Sequence, residues 1–278
     1  MSYAIDLPAY LRRIGFQGEA KPDAATLRAL AVAHVAAIPF ENLDPFLGIP
    51  VVLERRRLER KLVEFGRGGY CFEQNFVFRE VLRAIGYAVQ GLIARVLWQR
   101  DDDDVTAQSH MLLRIEIDGE SWLADVGFGG MVLPGALRLV PLVEQASTHE
   151  PYRLLEQGGI WRMQALVRGV WQTLYRFDLQ AKDDVDYVVA NHYTSTFPES
   201  HFLHGLNVAR TEAGRRLTLR GREFAVHTLG GETVRRTLTD TDEILEVLER
   251  EFLLRVPQVT HLRARIDAMP LPSPGVSA

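Results

Sequence analysis

The sequence of 278 residues predicts a mixed α+β fold, with a helical bundle at the N-terminus, a β-barrel or strongly curved sheet in the centre and an α/β C-terminal part. Apolar residues recur at helical spacing up to about residue 86, and short β-type runs separated by glycine, proline and charge follow to about residue 190. Strands and an amphipathic helix are mixed beyond that point. The predicted domains are therefore 1–86, 87–190 and 191–278.

Two helices are predicted in the first domain. Asp23 is a suitable N-cap for an apolar run that stops at Ile38-Pro39, and a second run begins at Cys71 and extends towards Gly86. Predicted strands of the central domain cover 92–98, 111–117, 121–126 and 160–167. In the last domain, strands are predicted at 217–219 and 224–229, and a helix near 240–254 has Asp240 and Glu243 at capping-box spacing.

The two strands 111–117 and 121–126 form a predicted hairpin, because Asp118-Gly119 is a strong two-residue turn signal. With that turn Ile117 lies opposite Glu120, and counting back along both strands makes His110 and Asp125 diagonal neighbours on one face. Their Cα atoms are then about 7–8 Å apart, within reach of an imidazole–carboxylate hydrogen bond. The other face becomes an apolar core face, comprising Met111, Leu113, Ile115, Ile117, Trp122, Ala124 and Val126.

Cys71 is the only cysteine, and it follows two glycines at the start of a predicted helix. A helix N-terminus favours the thiolate form of a cysteine, although a lone cysteine is more often an inert buried residue. With His110 and Asp125 it supplies the parts of a Cys-His-Asp triad. In such a triad His110 takes the thiol proton, while Asp125 fixes the imidazole tautomer and stabilises the imidazolium.

Four ordered motifs resemble those of the arylamine N-acetyltransferase family: Pro39 to Asp44, Arg67 to Asn75, Ser109 to Met111 and Ala124 to Gly130. They cover roughly the first half of the chain, and Gln74 departs from the apolar residue expected at its place. The resemblance implies a cysteine-protease-like core and a C-terminal lid. It also implies ping-pong acetyl transfer from acetyl-CoA, through an acetylated Cys71, to arylamines, arylhydrazines or arylhydroxylamines.

The resemblance further implies roles for residues outside the triad. Glu41 and Arg67 are expected to pair beside the cysteine. The substrate cleft is expected to be lined by Phe40, Val96, Phe128 and Phe202, and the coenzyme A cleft to be bordered by Gly127, Gly129 and Gly130. Ordinary core side chains and a bend that ends a strand are the alternatives.

No metal site is predicted. The acidic run Asp101 to Asp104 is typical of a solvated turn, and His192, His201 and His204 lack zinc-site spacing. Six C-terminal arginines are expected mainly on an exposed strand face, although some could meet coenzyme A phosphates: Arg215, Arg216, Arg220, Arg222, Arg235 and Arg236.

Composition limits the partners. With 47% hydrophobic and 24% charged residues and a formal net charge of −4, the chain offers no electrostatic case for nucleic acid or an anionic membrane. No apolar stretch approaches the roughly 18 residues of a membrane span, so we expect a cytoplasmic protein. Small aromatic amines or hydrazines and acetyl-CoA are the expected partners, and the oligomeric state stays open. The main alternative is a cysteine amidase or peptidase, with a non-enzymatic binding module a distant third.

Overall fold

Two antiparallel sheets form the frame to which the helices attach. The structure is a computed structural model that describes residues 3–257 and 260–271. Its α-helices are α1 Leu7–Arg13, α2 Ala24–Ala37, α3 Leu43–Phe46, α4 Arg55–Glu59, α5 Cys71–Ile85, α6 Asp184–Thr196, α7 His201–His204, α8 Thr241–Arg250 and α9 Thr260–Asp267. Its strands are β1 Phe40–Glu41, β2 Ala88–Val96, β3 Gln108–Ile117, β4 Glu120–Ala124, β5 Ala136–Arg138, β6 Tyr152–Gln157, β7 Ile160–Val167, β8 Val170–Phe177, β9 Asn207–Glu212, β10 Arg215–Arg220, β11 Glu223–Thr228 and β12 Thr233–Thr237.

The two predicted N-terminal helices are confirmed, and their ends follow from local chemistry. The Asp23 carboxylate accepts a 2.8 Å hydrogen bond from the Thr26 amide at the start of α2. Helix α5 begins at Cys71 and ends at Ile85, and it is capped by Gly86, whose φ of +110° is the left-handed conformation that glycine adopts without strain. Cys71 is therefore the first residue of a 15-residue helix.

The seven-stranded sheet has the order β5-β4-β3-β2-β8-β7-β6 and curves into a nearly closed barrel. Ile117 pairs with Glu120 as predicted, and Asp118 and Gly119 have φ values of 51° and 78°, as a type I′ turn requires. All seven residues of the predicted apolar face are buried in one core cluster.

The hairpin ladder ends earlier than predicted. Its last pair is Leu113 and Ala124, so Asp125 leaves the strand at once. The Asp125 carboxylate accepts a hydrogen bond from the Gly127 amide at 2.9 Å, which curls the chain away from β3. His110 instead pairs across the ladder with Ala94 of β2.

The C-terminal part is a five-stranded sheet of order β1-β9-β10-β11-β12 that packs with α8 and α9 around its own apolar cluster. Helix α8 starts after Asp240, whose side chain accepts from the Glu243 amide at 2.8 Å. The Glu243 carboxylate accepts a hydrogen bond from the Thr239 amide, whereas a capping box would use the Asp240 amide, one residue later. The helix ends at Arg250, before the predicted residue 254, and Leu253 adopts a φ of 56° beyond it.

Helix α6 was not expected from the sequence, and the predicted boundary at residue 190 lies inside it. Its segment contains five β-branched residues and two tyrosines, a composition typical of strands. Tertiary packing decides otherwise, because Tyr187 and Asn191 lie on its buried side against the core. None of the helices in the described residues is long and apolar enough to cross a membrane.

Arg216 and Arg222 are buried, so the prediction of an exposed strand face is wrong for these two of the six C-terminal arginines. The Arg216 guanidinium donates to Glu150 at 2.6 Å, to the Tyr152 hydroxyl at 2.7 Å and to the Val132 carbonyl at 2.9 Å, joining the two sheets. Arg222 donates to main-chain carbonyls, including that of Ile266 at 2.9 Å in α9. Both positions supply the hydrogen bonds that a buried guanidinium needs.

We expect Arg216→Gln to lower the free energy of unfolding by about 3 kcal/mol, because it takes the guanidinium from Glu150 and leaves only His149, at 2.7 Å, beside that carboxylate. Urea unfolding measures the difference. Arg235→Gln removes the same charge from an exposed position of β12 and should change the free energy by less than about 0.5 kcal/mol. Equal losses in the two variants would contradict a bracing role for Arg216.

Candidate active site

Cys71 lies at the junction of the helical part and the barrel. It is 4% exposed, and its thiol faces the Ser109 carbonyl oxygen of β3 at 3.5 Å. The two glycines before Tyr70 let the preceding loop pack closely, since a Cβ on Gly68 would lie 2.0 Å from the Pro39 carbonyl oxygen and one on Gly69 would lie 2.7 Å from a Glu73 carboxylate oxygen. The Cys71 sulfur therefore lies between the main-chain amides of the first turn of α5 and the start of β3.

His110 and Asp125 meet as predicted, although Asp125 reaches the imidazole from the turn after β4 and not from a paired position of the hairpin. The His110 Nε2 lies 2.6 Å from Asp125 Oδ2, and both side chains are buried. The carboxylate also accepts from the Gly127 amide, so its geometry is set from two directions. Nδ1 is then the ring nitrogen left for Cys71.

Charge on this pair follows from the balance between burial and proximity. Burial opposes a charged imidazole, but the Asp125 carboxylate, its hydrogen bond and the nearby Cys71 sulfur together raise the pKa of His110 to about 10. Burial would raise the pKa of Asp125, yet His110 and the Gly127 amide hold it below its ordinary value. The pair therefore carries an imidazolium and a carboxylate at neutral pH.

Asn75 orients the carboxylate, a role that the sequence analysis did not assign. Its Nδ2 donates to Asp125 Oδ1 at 3.1 Å and to the Met111 carbonyl at 2.8 Å, while its Oδ1 accepts from the Val126 amide at 3.2 Å. Asn75 lies one helical turn after Cys71, so both point from the same side of α5 towards the barrel. The four-residue spacing between Cys71 and Asn75 was the sequence feature that could have predicted this role.

Tyr175 is a second residue missed from the sequence. Its ring centroid lies 5.1 Å from those of both His110 and Phe128, and its hydroxyl is buried without a hydrogen-bond partner among the described residues. Burial, followed by the charge of Asp125, raises the pKa of Tyr175 well above its ordinary value. The neutral phenol thus closes the inner wall of the site.

The four residues expected to line a substrate cleft lie around this centre. Phe128 packs edge-on against His110 with centroids 5.0 Å apart, and the rings of Phe40 and Phe202 lie 6.1 Å apart. Val96 pairs directly with Tyr175 across β2 and β8, which places both on one face of the sheet. The wall beside the imidazole is therefore apolar and mainly aromatic.

The glycines of the loop after Asp125 permit close packing. A Cβ on Gly127 would lie 2.6 Å from the Cys71 Cα, and Gly129 has a φ of 69° with Phe40 beside it. A Cβ on Gly130 would approach the Thr218 methyl group at 3.1 Å. Any side chain at Gly127 would push the loop from the nucleophile.

A buried ionic network supports the loop before Cys71. The expected pair is present, with Arg67 Nη2 at 2.7 Å from Glu41 Oε1 and at 2.9 Å from Asp44 Oδ1. Lys61 extends it, because its Nζ lies 2.6 Å from carboxylates of both Asp44 and Glu73. Burial raises the pKa of Glu73 to about 7 against the opposing charge of Lys61, with Asp44 and Glu41 adding to the rise.

The remaining candidates lie outside this centre. The acidic run 101–104 forms a turn, mostly exposed. His201 packs on Phe202 with centroids 4.0 Å apart, His204 faces the Pro198 carbonyl, and His192 contacts the Thr196 hydroxyl. Within the described ranges there is no group of three or more His, Cys, Asp or Glu residues that could hold a metal ion.

Comparison with known proteins places this geometry in a family. Residues 23–260 match the family model described as N-acetyltransferase. The chain is 43% identical over 253 residues to the arylamine N-acetyltransferase of Mycolicibacterium smegmatis, covering 90% of this chain and 92% of that one. The chain belongs to the arylamine N-acetyltransferase family. The Escherichia coli relative of the same name is 40% identical, covering 91% of this chain and 90% of its own.

Solved structures of the family share the fold. The Mycobacterium marinum arylamine N-acetyltransferase superimposes with a TM-score of 0.91 at 40% identity, over 95% of this chain and 99% of its own. The same protein is known in complex with CoA, with the same score and identity. The resemblance found in the first half of the sequence therefore extends over nearly the whole chain, including the C-terminal sheet.

We expect Asp125→Asn to retain the fold but to lower the pKa of His110 towards its ordinary value of about 6.5, since the neutral amide no longer stabilises the imidazolium. The ring then loses its proton well below pH 8, whereas the unaltered ring keeps it to about pH 10. At pH 8 iodoacetamide should alkylate Cys71 at least about tenfold more slowly, and acetyl transfer should fall by about 100-fold.

The matched control is Asp118→Asn, which makes the same change at the turn of the same hairpin. Its left-handed φ of 51° suits asparagine, so alkylation should keep the unaltered pH profile. An Asp125→Asn profile that superimposes on that of the unaltered protein would show that the carboxylate does not control the imidazole.

We expect Gly127→Ala to destabilise the protein by about 1–3 kcal/mol and to slow acetylation of Cys71, because a main-chain clash cannot be relieved by a rotamer change. Thermal unfolding and intact-mass kinetics measure the two effects. Gly205→Ala is the control, since its Cβ meets nothing closer than 3.9 Å and its φ is −143°. Equal behaviour of the two variants would contradict the proposed contact.

Proposed function

We propose that the protein transfers the acetyl group of acetyl-CoA to the nitrogen of arylamines, arylhydrazines or arylhydroxylamines by a ping-pong mechanism through acetyl-Cys71. Family membership over most of the chain supports the activity. The observation that carries the mechanism is the 2.6 Å hydrogen bond from His110 to the buried Asp125, beside the only cysteine in the sequence. This hydrogen bond keeps the His110 imidazole charged beside Cys71, the nucleophile at the start of α5.

In the first half-reaction Cys71, with its proton on His110, attacks the carbonyl carbon of the acetyl thioester. A new carbon–sulfur bond forms at Cys71, the bond to the coenzyme A sulfur breaks, and His110 returns the proton to the leaving thiolate. Asp125 stays ionised throughout and holds the ring in place. Because one thioester replaces another, the exchange is nearly balanced in energy.

In the second half-reaction the acceptor nitrogen attacks acetyl-Cys71. His110 now accepts the proton of the amine, the carbon–nitrogen bond forms and the thiolate of Cys71 leaves. An aromatic amine is a competent nucleophile in its neutral form, so the site needs a base and no further activation. The rings of Phe128, Phe40 and Phe202 supply apolar faces on which an aryl group can pack.

The alternative of a cysteine amidase or peptidase uses the same triad with water as the acceptor. The aromatic wall disfavours it, because the rings of Phe128 and Tyr175 lie together beside His110, 5.0 and 5.1 Å from its ring, and make that approach apolar. Relatives with matching structures bear the transferase name. We therefore favour transfer to an amine over transfer to water.

We further propose that the loop Gly127 to Gly130 borders the coenzyme A cleft. Gly127 already touches the main chain at Cys71, so the loop runs along the rim where the thioester must enter. A homologue binds CoA, as the M. marinum complex states. A cytoplasmic location and the absence of nucleic-acid and membrane partners stay predictions from the sequence.

Acetyl-CoA alone should acetylate the protein once, at Cys71, and release one equivalent of coenzyme A before stopping. Intact mass spectrometry and thiol release measure the two quantities. Adding an arylamine should restart release, because the acceptor regenerates the thiol. A panel of arylamines, arylhydrazines and arylhydroxylamines then ranks the acceptors by rate.

Cys71→Ser should give no burst of coenzyme A, while Ser109→Ala, one residue from His110 and with an outward hydroxyl, should retain it. Continuous release of coenzyme A without an amine would identify a thioester hydrolase instead. Lack of any adduct on the unaltered protein would reject the acetyl-enzyme.

A further inference from the structure

Three arginines lie side by side on the outside of the barrel. Arg95 of β2 pairs directly with Arg176 of β8, and Arg176 pairs directly with Arg162 of β7. Residues directly opposite in antiparallel strands share a face, so the three side chains form one row, which we call the arginine row. Ala94 and Tyr175, next to Arg95 and Arg176 in sequence, face the interior cluster.

The arginine row has no acidic partner among the described residues. Arg176 donates to the main-chain carbonyls of Asp102 and Asp104, at 3.3 and 3.1 Å, and Arg95 donates to that of Thr106. Arg162 makes no hydrogen bond in the described part of the chain, and its Nε is buried without a partner. Like charges directly opposite one another destabilise a sheet, and a buried unpaired donor adds to that cost.

A groove lies over the arginine row. Its volume is about 290 Å³, close to the lower bound for small-molecule sites. Asp178 is the only carboxylate in its lining, against three guanidinium groups, and the rest of the lining is Ile93, Gln108, Gln157, Ile160 and Phe177. Three guanidinium groups against one carboxylate give the lining itself a net positive charge, and the acidic turn 101–104 borders it at Arg176. Gln108 and Gln157 add two amide side chains.

We propose that this groove binds a diphosphate group. Guanidinium groups match phosphate oxygens through paired, charge-assisted hydrogen bonds. Neighbouring strands are about 4.8 Å apart, so the arginine row extends over roughly 10 Å, which suits two linked phosphoryl groups better than one. Free pyrophosphate and the diphosphate of a nucleotide share this chemistry. The proposal is independent of the acetyl-transfer site, since none of these side chains belongs to the triad.

Isothermal titration of the unaltered chain with inorganic pyrophosphate, ADP and inorganic phosphate tests the proposal. Pyrophosphate should bind more tightly than phosphate at equal ionic strength. ADP binding that is tighter than pyrophosphate binding and that Arg162→Gln weakens would support the site with a nucleotide as the source. Equal affinities would support it with the diphosphate alone, and ADP binding that Arg162→Gln leaves unchanged would count against it. Arg162→Gln should raise the Kd for pyrophosphate at least about tenfold, the equivalent of losing one charge-assisted contact.

Arg57→Gln is the matched control, since it removes the same charge from an exposed position of α4 and should change the Kd less than about twofold. Without ligand, Arg162→Gln should melt no lower than the unaltered protein, because it relieves repulsion within the arginine row. Arg162→Glu should abolish binding and, by pairing with Arg176, raise the melting temperature. No binding at millimolar pyrophosphate, equal affinity for phosphate, or an unchanged Kd in Arg162→Gln would overturn the proposal.

Discussion

The buried hydrogen bond between His110 and Asp125 is the interaction on which the rest of the site depends. Neither charge could persist inside the barrel alone, because burial disfavours both the imidazolium and the carboxylate. Each makes the other tolerable, and the Gly127 amide completes the set of donors. The catalytic geometry therefore depends on the local fold. The turn after β4 supplies the hydrogen bond to the Asp125 carboxylate, and the same turn brings the glycine loop against Cys71.

Polar residues packed behind Cys71 also hold the catalytic residues in position. Asn75 connects α5 to both β3 and the carboxylate, so the helix that presents the sulfur and the sheet that presents the imidazole cannot shift independently. The network of Lys61, Arg67 and three carboxylates secures the loop before Cys71 from the other side. These groups are buried and nearly all paired, which makes the site rigid.

Local signals were sufficient for the helices and the hairpin, and insufficient wherever distant segments meet. The caps at Asp23 and Gly86 and the turn at Asp118 depend on residues only a few positions apart, so the sequence predicts the helix ends and the hairpin. Helix α6 was missed because its β-branched composition favours a strand until Tyr187 packs against the core. Arg216 was expected at the surface because its partner, Glu150, lies in the bend before β6, 66 residues earlier in the chain. Tyr175 was missed for the same reason.

By itself the sequence determined which residues could do the chemistry: one cysteine after two glycines, and a histidine and an aspartate held in register by a two-residue turn. Periodicity and turn preferences act locally, so they specify a hairpin and its faces. Only the tertiary structure decided that α5 sets Cys71 against β3, that Asn75 and Tyr175 enclose the pair, and that three arginines on separate strands share one groove. Those contacts join segments far apart in the chain, and their energies come from burial and pairing that no local pattern records.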